Sequence, residues 1–372
     1  MERMLFMTLN IDIYEALYRL NIQKKIDINL LKKAFYNILK IEDEEIRCII
    51  LGSFCTGLIA QNPTADEVCA LIEVAFQLDN FNPYSVPVMS IKDHYVVESI
   101  GSGKKGYKTI NISTGSAIVA AATGAYVIKK GSFSTSSITG SADFMKEFDV
   151  KTNHCYEDAK KILEKCGLVF MSIEDIIPNF DKIYGGRFYA PQILSFGLAA
   201  IVGNYRGNVL LYGLAHPNIS LSVNVLKNNN INNALVVSST DDDIHYLDEI
   251  GIYGNTYIQG IKEGIIGNLY TFNPVNRINI PKYTPVDIYQ GDSKSSNIKH
   301  VINALSGKGK DAHIDIICIN AANILFLAKK VENIEEGFLV SKKTISSGKA
   351  IEKFEEFISL SGGSVSKLQS QL

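Results

Sequence analysis

The hydrophobic pattern of the first 79 residues has the period of an amphipathic helix. Between Asp27 and Leu39, for example, the apolar residues fall on one helical face. The sequence Thr-Ala-Asp-Glu at residues 64–67 is a capping box, which places the start of a helix at that point. We predict a small helical domain over residues 1–79, with helices at Ile11–Leu20, Asp27–Leu39, Glu44–Ala60 and from Thr64 to Leu78.

After a linker rich in Asn and Pro, the pattern changes to short apolar runs that alternate with helical stretches. Such alternation is typical of an α/β domain, in which helices cover the faces of a sheet. We predict a larger α/β domain over residues 88–361, with a central mixed sheet flanked by helices, and a fraying tail at 362–372. A helical segment near 175–201 is expected to complete the small domain. The predicted strands are His94–Ile100, Ala125–Ile128, Leu168–Met171, Asn208–Tyr212 and Ala234–Ser238.

Composition narrows the classes of protein to consider. Hydrophobic residues make up 46% of the 372 residues and charged residues 20%, which is sufficient for a sizeable core. The net charge of −2 argues against a nucleic-acid-binding protein, which needs a basic face. The uncharged stretches 109–128 and 188–205 are interrupted by polar residues and are predicted to be buried elements, not membrane spans. The six cysteines form no CxxC pair, as expected of free thiols in the cytoplasm.

A glycine-rich loop follows the strand that is predicted to end at Ile100. Its sequence is Gly-Ser-Gly-Lys-Lys-Gly, and a helix is predicted to begin soon afterwards, near Ser113. Glycines allow backbone N–H groups to approach an anion closely, and a helix N-terminus adds unsatisfied N–H groups. Ser113 and Thr114 could cap this helix or donate hydroxyls to phosphate. The loop is thus a candidate phosphate site, and a plain turn is the alternative.

Two further segments have side chains suited to phosphate and metal chemistry. Residues 129–143 are dense in hydroxyls, and Lys129 at the end of a predicted strand could reach a phosphate. A solvated Ser/Thr loop is the alternative. Asp248 and Glu249 are adjacent carboxylates, and Mg²⁺ accepts one or two carboxylates together with water and substrate phosphates. The alternative for this pair is a solvated surface.

In this order and with this spacing, the segments resemble the anthranilate phosphoribosyltransferase family. That family carries a G-T-G-G-D-G loop, an N-[IV]-S-T segment, a K-H-G-N-R segment leading to G-S-A-D, and a late Asp-Glu pair. The resemblance covers nearly the whole chain and implies a homodimer of subunits with a small helical and a larger α/β domain. The matching segments are Gly101–Gly106, Asn111–Thr114, Lys129–Phe133, Gly140–Asp143 and Asp248–Glu249.

The resemblance implies transfer of the phosphoribosyl group of phosphoribosyl pyrophosphate to an aromatic amine or other nitrogen acceptor. Loss of pyrophosphate would be assisted by Mg²⁺, and no residue is assigned as an acid or base because the amine needs mainly positioning. The implied magnesium ligands are Ser113, Asp248 and Glu249. The implied donor-binding residues are Gly101, Ser102, Gly103, Lys104, Lys105, Asn111, Ser113, Thr114, Lys129, Ser136 and Ser137.

The sequence departs from the family pattern mainly on the acceptor side. Lys130, Ser132 and Phe133 stand where the family has His, Asn and Arg. Arg187 keeps the position of an Arg that faces the acceptor carboxylate, and an ordinary ion pair is the alternative for it. Anthranilate and another nitrogen-bearing acceptor both stay open. The predicted acceptor-binding residues are Ser132, Ile177, Pro178 and Arg187.

The donor loop differs as well, because Lys104 and Lys105 stand where the family has Gly and Asp. Their ammonium groups could strengthen phosphate binding, or they could displace a metal. Two other functions are compatible with the sequence. A nucleoside phosphorylase shares the two-domain plan and would use inorganic phosphate without a metal pair. A non-catalytic relative, including one that binds nucleic acid, would have lost turnover through the changes in the loop and the acceptor pocket.

Overall fold

A computed structural model describes residues 10–134 and 138–372 of the chain, so Ser136 and Ser137 lie outside the described residues. The four predicted helices of the first domain are present. Each begins at a residue whose side chain accepts a hydrogen bond from a backbone N–H of the first turn, and Thr64 and Glu67 form the predicted capping box. These helices are α1 (Ile11–Asn21), α2 (Ile28–Leu39), α3 (Glu44–Ala60) and α4 (Ala65–Gln77).

A mixed sheet forms the centre of the rest of the chain. Its strands are β1 (Val96–Gly101), β2 (Tyr126–Gly131), β3 (Leu168–Ser172), β4 (Val209–Gly213), β5 (Ala234–Thr240), β6 (Asn255–Lys262), β7 (Ile265–Ile266) and β8 (Tyr270–Phe272). They lie in the order β3-β2-β1-β4-β5-β6-β7, and β8 pairs with β6. Strands β1–β5 run parallel, whereas β6 is antiparallel to β5. The α/β fold class is confirmed, and the five predicted strands match β1–β5.

Helices cover both faces of this sheet. Residues 334–360 form two helices, because the chain turns at Gly348 with φ +81°. No helix within the described residues is long and apolar enough to cross a membrane. The helices are α5 (Ile112–Ala122), α6 (Ser141–Glu147), α7 (Tyr156–Cys166), α8 (Pro178–Tyr184), α9 (Leu198–Ile201), α10 (Ile219–Asn228), α11 (Pro274–Arg277), α12 (Lys294–Leu305), α13 (Asp311–Leu327), α14 (Ile334–Ser346), α15 (Lys349–Leu360) and α16 (Val365–Gln369).

The two faces of the sheet belong to two hydrophobic cores. On β4, Leu211 contributes to the core that contains α5 and α13, whereas Leu210 and Tyr212 contribute to the core that contains α1–α4. The second core also takes in Phe180 of α8 and Ile193, which begins a short 3-10 helix. The 175–201 segment therefore packs with the first four helices, on one face of the sheet.

The end of the chain, where a fraying tail over 362–372 was predicted, contains a short helix. Helix α16 lies there, and its Leu368 is fully buried in the core around α5 and α13. The backbone N–H of Ser364 donates to the carbonyl of Phe148 at 2.7 Å. Burial of Leu368 and a few backbone hydrogen bonds thus attach residues 362–372 to the rest of the fold, although their small and polar composition is typical of a frayed terminus.

The direction of the chain connections reverses between β1 and β4. From β1 the sheet continues through β2 to β3 on one side, and from β4 it continues to β5 on the other. The last residues of β1 and β4, Gly101 and Gly213, are paired in register. In open α/β sheets, ligands bind outside the carboxyl ends of the strands at such a switch point. The fold therefore places a binding site beside these two glycines.

A buried ion pair joins the sheet to the helices on one face. Lys130 of β2 is fully buried, and its Nζ lies 2.9 Å from Oε2 of Glu98 on β1. The same Nζ donates to the carbonyls of Ala200 at 2.6 Å and Val202 at 2.9 Å, at the end of α9. Burial lowers the pKa of Lys130, and the charge of Glu98 opposes this effect. The lysine that replaces the family's histidine is therefore a structural cation.

Replacing Lys130 with Met is expected to lower the free energy of unfolding by about 3–5 kcal/mol, because Glu98 is left buried without its cation. Urea denaturation measures the change. Adding Glu98→Gln to this variant should recover part of the loss. The matched control is Lys367→Met, whose ion pair with Asp149 is half-exposed and should cost no more than about 1 kcal/mol. Equal losses in the two single variants would contradict the assignment.

Candidate active site

A cavity lies at the carboxyl ends of β1, β2 and β4, between the sheet and α8. Its walls come from the 101–105 loop, the first turn of α5, the segment after β2, and the connection from β5 to β6. Thr114 is buried inside α5 and does not line this cavity. The cavity brings together most of the predicted donor-binding residues, namely Gly101, Ser102, Gly103, Lys104, Lys105, Asn111, Ser113 and Lys129.

Glycines at the strand ends allow Asp248 to reach the middle of this site. A β-carbon at Gly101 would lie 2.1 Å from Oδ2 of Asp248, and one at Gly213 would lie 1.6 Å from the Asp248 carbonyl oxygen. The backbone N–H of Gly103 donates to Oδ2 of Asp248 at 2.8 Å. Any side chain at Gly101 or Gly213 would push Asp248 away, so these glycines are required for the position of the carboxylate.

Ser102 and Lys104 define the shape of the glycine-rich loop. The Ser102 hydroxyl accepts from the N–H of Ala215 at 3.0 Å and donates to the carbonyl of Gly103 at 3.1 Å, so it joins two loops. Gly103 has φ +66° and Lys104 has φ +58°. A lysine in this left-handed conformation costs roughly 1–2 kcal/mol relative to glycine. Gly103 and Lys104 thus have the left-handed backbone conformation that two consecutive glycines adopt easily, although Lys104 carries a side chain.

Lys105 forms an ion pair with both predicted metal-binding carboxylates. Its Nζ lies 2.8 Å from Oε1 of Glu249 and 3.4 Å from Oδ1 of Asp248, and it donates to Oγ1 of Thr109 at 3.0 Å. Asp248 and Glu249 are each only 4% exposed. The sequence predicted Lys105 as a phosphate-binding residue, and here its ammonium group is directed at the protein's own acidic pair.

The acidic pair shares its charge unevenly. Burial raises the pKa of Glu249 well above its usual range, and the adjacent Asp248 charge raises it further, although Lys105 opposes both. The pKa of Asp248 is lowered, because Lys105 and the N–H of Gly103 outweigh the effect of burial. The pKa of Lys105 is raised: burial would lower it, but Glu249 and Asp248 outweigh that effect. Asp248 is therefore the firmly ionised carboxylate of the two.

The acidic pair lines the cavity but does not fit a magnesium ion as it stands, because the Lys105 ammonium is paired with both carboxylates and would repel the ion. Two like unit charges about 4 Å apart repel by roughly 4 kcal/mol at an effective dielectric constant of about 20. The repulsion between the Lys105 ammonium and a dication at that distance would be about twice as large. Within the described residues, no group of three or more His, Cys, Asp or Glu side chains could hold a metal ion. Ser113, the third predicted magnesium ligand, lines the cavity at the first turn of α5.

Lys129 and Asn111 supply further polar groups. Lys129 is buried, and its Nζ donates to the carbonyls of Ser99, at 3.5 Å, and Lys130. Burial lowers the pKa of Lys129 to about 7, although Glu249 and Asp248 oppose the shift. The Asn111 amide donates to the carbonyl of Thr139 at 3.1 Å, whereas its Oδ1 is buried without a hydrogen-bond partner. An acceptor of this kind can receive a hydrogen bond from a ligand hydroxyl.

Two of the four predicted acceptor-binding residues line the cavity, and the other two do not. Ser132 and Ile177 line the cavity, whereas Pro178 is exposed at the first position of α8. Arg187 does not line the cavity. Its guanidinium lies 2.6 Å from Oε1 of Glu44 on α3 and donates to the carbonyl of Gly185 at 3.2 Å. Arg187 thus forms an ordinary ion pair in this structure, which was the alternative to a carboxylate clamp.

Two carboxylates that were not predicted lie on the same wall. Glu174 accepts hydrogen bonds from the Phe133 N–H at 2.8 Å and the Ser172 hydroxyl at 2.7 Å. Burial raises the pKa of Glu174 to about 7. Burial also raises the pKa of Asp181 on α8, against the nearby Arg187 charge. Glu174 comes two residues after β3, so the rule that ligands gather at carboxyl strand ends could have identified it.

Comparisons with known proteins agree with this geometry. The family model described as "Glycosyl transferase family, a/b domain" matches residues 93–351. Anthranilate phosphoribosyltransferase of Acetivibrio thermocellus is 29% identical over 360 residues, which covers 91% of this chain and 98% of that protein. The enzyme of Shewanella baltica strain OS185 is 30% identical over 276 residues, which covers 72% of this chain and 73% of that protein.

Solved structures show the same fold. Anthranilate phosphoribosyltransferase from Saccharomyces cerevisiae in complex with PRPP and Mg has a TM-score of 0.75 at 17% identity, over 94% of this chain and 98% of that chain. The enzyme from Thermus thermophilus has a TM-score of 0.71 at 17% identity, over 94% of this chain and 99% of that chain. The fold and the site define a glycosyltransferase. More narrowly, the chain belongs to the anthranilate phosphoribosyltransferase family and is an enzyme of that family.

Glu174 provides a test of the buried site by pH. Its pKa is about 7 in the folded protein and ordinarily 4.5, so between these values the folded state holds a proton that the unfolded state has released. The unfolded state binds fewer protons, and stability falls as pH rises across this window. In Glu174→Gln the amide oxygen can still accept from the Phe133 N–H, and the amide NH₂ can donate to the Ser172 hydroxyl. The substitution should remove a loss of about 1–3 kcal/mol at pH 8, with little effect at pH 4.5.

Urea denaturation from pH 4.5 to pH 8 measures this difference. Glu157→Gln, at an exposed position of α7, is the matched control and should follow the wild-type profile. Identical pH profiles for wild type and Glu174→Gln would show that Glu174 titrates normally.

Proposed function

We propose that the protein transfers the phosphoribosyl group of phosphoribosyl pyrophosphate to a nitrogen acceptor. The observation that carries this proposal is the meeting, at one switch point of the sheet, of the glycine-rich loop, the first turn of α5 and Lys129. Glycine N–H groups, a helix N-terminus and an ammonium are groups that bind phosphate oxygens. Membership of the family supports the same donor.

The chemistry needs charge stabilisation more than acid or base catalysis. When pyrophosphate leaves the ribose carbon, negative charge develops on the leaving group, and pre-arranged N–H donors and ammonium groups lower the barrier. Lys129 and the N–H groups near Ser113 are placed for this task. The amine attacks from the acceptor side and needs mainly to be held in line.

Magnesium enters the proposal together with the donor. A solved relative is described as a complex with PRPP and Mg, which supports a donor that arrives as a magnesium complex. We propose Ser113 as the protein ligand available to that ion, since Asp248 and Glu249 are paired with Lys105. Mg²⁺ would supply further positive charge beside the pyrophosphate.

The acceptor is proposed to be an amine without a carboxylate. The wall on the acceptor side carries two carboxylates, Glu174 and Asp181, and Arg187 lies outside the cavity. At a pH above about 7, where Glu174 is ionised, these two carboxylates repel an anionic acceptor and accept hydrogen bonds from N–H groups. Phe180 and Ile177 beside them suit a flat apolar ring. These features favour a neutral or cationic aromatic amine over anthranilate.

The homodimer implied by the family resemblance stays a prediction. On α1, the side chains of Ile11, Tyr14 and Tyr18 are more than half exposed and lie on one helical face. These are side chains that a second copy would cover. Sedimentation velocity decides between one subunit and two.

Donor binding is tested by calorimetric titration with phosphoribosyl pyrophosphate, with and without Mg²⁺. Lys129→Met should weaken binding about 10- to 100-fold, because hydrogen bonds to charged groups contribute roughly 1.5–3 kcal/mol. The control is Lys165→Met, at an exposed position of α7, which should bind as wild type does. A wild-type protein that binds inorganic phosphate but no phosphoribosyl pyrophosphate would exclude the transferase and favour a phosphorylase.

Acceptor choice is tested with two matched amines, anthranilate and aniline, by measuring pyrophosphate release. We expect a kcat/KM at least about tenfold higher for aniline, equivalent to about 1.4 kcal/mol of carboxylate repulsion. Asp181→Asn should narrow this preference, whereas Arg187→Ala should change neither rate by more than about twofold. A preference for anthranilate that is lost in Arg187→Ala would mean that Arg187 turns into the cavity and clamps the carboxylate.

A further inference from the structure

The ammonium group of Lys105 has three oxygen atoms close to it. It donates hydrogen bonds to Oε1 of Glu249 at 2.8 Å and Oγ1 of Thr109 at 3.0 Å, and it forms an ion pair with Oδ1 of Asp248 at 3.4 Å. The lysine side chain is 20% exposed, and the two carboxylates beneath it are almost fully buried. The ammonium is thus the more exposed member of the cluster, and all three residues line the cavity.

Lys105 forms an ion pair with both members of the acidic pair, and the charge of Lys129 also acts on them. Oδ1 of Asp248 and Oε2 of Glu249 are buried without a hydrogen-bond donor. Two adjacent buried carboxylates are unfavourable without a cation. A metal ion is the usual solution in such a place, and here the chain itself provides one.

We propose that Lys105 takes the place of a metal ion at the Asp248–Glu249 pair and faces the leaving pyrophosphate as a permanent cation. The role toward pyrophosphate rests on the proposed function, whereas exclusion of a metal from the pair does not. Because Lys105 is part of the chain, this part of the site carries a positive charge even when no metal ion is present in solution. The enzyme then needs only the metal that its donor brings.

Exclusion of the metal is tested on the free protein with Mn²⁺, followed by its electron paramagnetic resonance signal. Wild type and Asp248→Asn/Glu249→Gln should bind equal amounts of Mn²⁺, because the pair is closed to metal. Lys105→Gln opens the pair and should gain one Mn²⁺ site, with affinity at least about tenfold above background. That site should vanish in the triple variant that combines all three substitutions.

A matched control is provided by Lys342, whose Nζ lies 2.5 Å from Oδ1 of the buried Asp315 on another helix. Lys342→Gln makes the same chemical change beside one carboxylate and should gain no Mn²⁺ site. Lys105→Arg keeps the charge and should also gain none. If wild type binds a Mn²⁺ ion that Asp248→Asn/Glu249→Gln removes, Lys105 yields to metal and the proposal is overturned. A folded Lys105→Gln that gains no site overturns it as well.

The role toward the leaving group is tested by calorimetry with inorganic pyrophosphate in a buffer that contains a chelator. Wild type should bind without metal, and Lys105→Gln should bind about 10- to 100-fold more weakly. Excess Mg²⁺ should restore much of the affinity of Lys105→Gln, since the opened pair can then take the ion. Equal metal-free affinities would overturn the role of Lys105. Failure of phosphoribosyl pyrophosphate to bind would instead refute the proposed function and leave the Mn²⁺ result standing.

Discussion

One carboxylate, Asp248, determines how the site is arranged. It comes from the connection between β5 and β6, and it can reach the ends of β1 and β4 only because glycines stand at both places. The N–H of Gly103 fixes one oxygen, and Lys105 faces the other. The conformation of the glycine-rich loop thereby depends on an acidic group that also lines the cavity.

The charges at this site are balanced within the chain. The positive charges of Lys105 and Lys129 are balanced by Asp248 and Glu249, so the part of the cavity that we propose to bind phosphate is not strongly basic before a ligand arrives. Across the cavity, the acceptor wall carries carboxylates. A doubly charged pyrophosphate group and a neutral or cationic amine would therefore approach from sides that suit their charges, which separates the two substrates by electrostatics as well as by shape.

Much of this could be predicted from the sequence. Period and capping gave α1–α4, and the five buried parallel strands were visible as short apolar runs. Strand β6 was missed because its apolar positions are mixed with polar ones, and β7 and β8 were missed because they are only 2 and 3 residues long. The sequence also could not predict which partners the long charged side chains would contact. Nothing near Lys105 or Arg187 in sequence indicates that their partners are Glu249 and Glu44, which are brought close only by the fold.

The shared core of the first helices and the 175–201 segment has a consequence for synthesis of the chain. Helices α1–α4 are complete at Gln77, but Phe180 and Ile193, which cover their apolar faces, are made about a hundred residues later. At roughly 5–20 residues per second, the ribosome needs about 5–20 s for that stretch. During this interval the helices expose an apolar surface that the finished protein hides, and the first domain can close its core only after the later segment has been made.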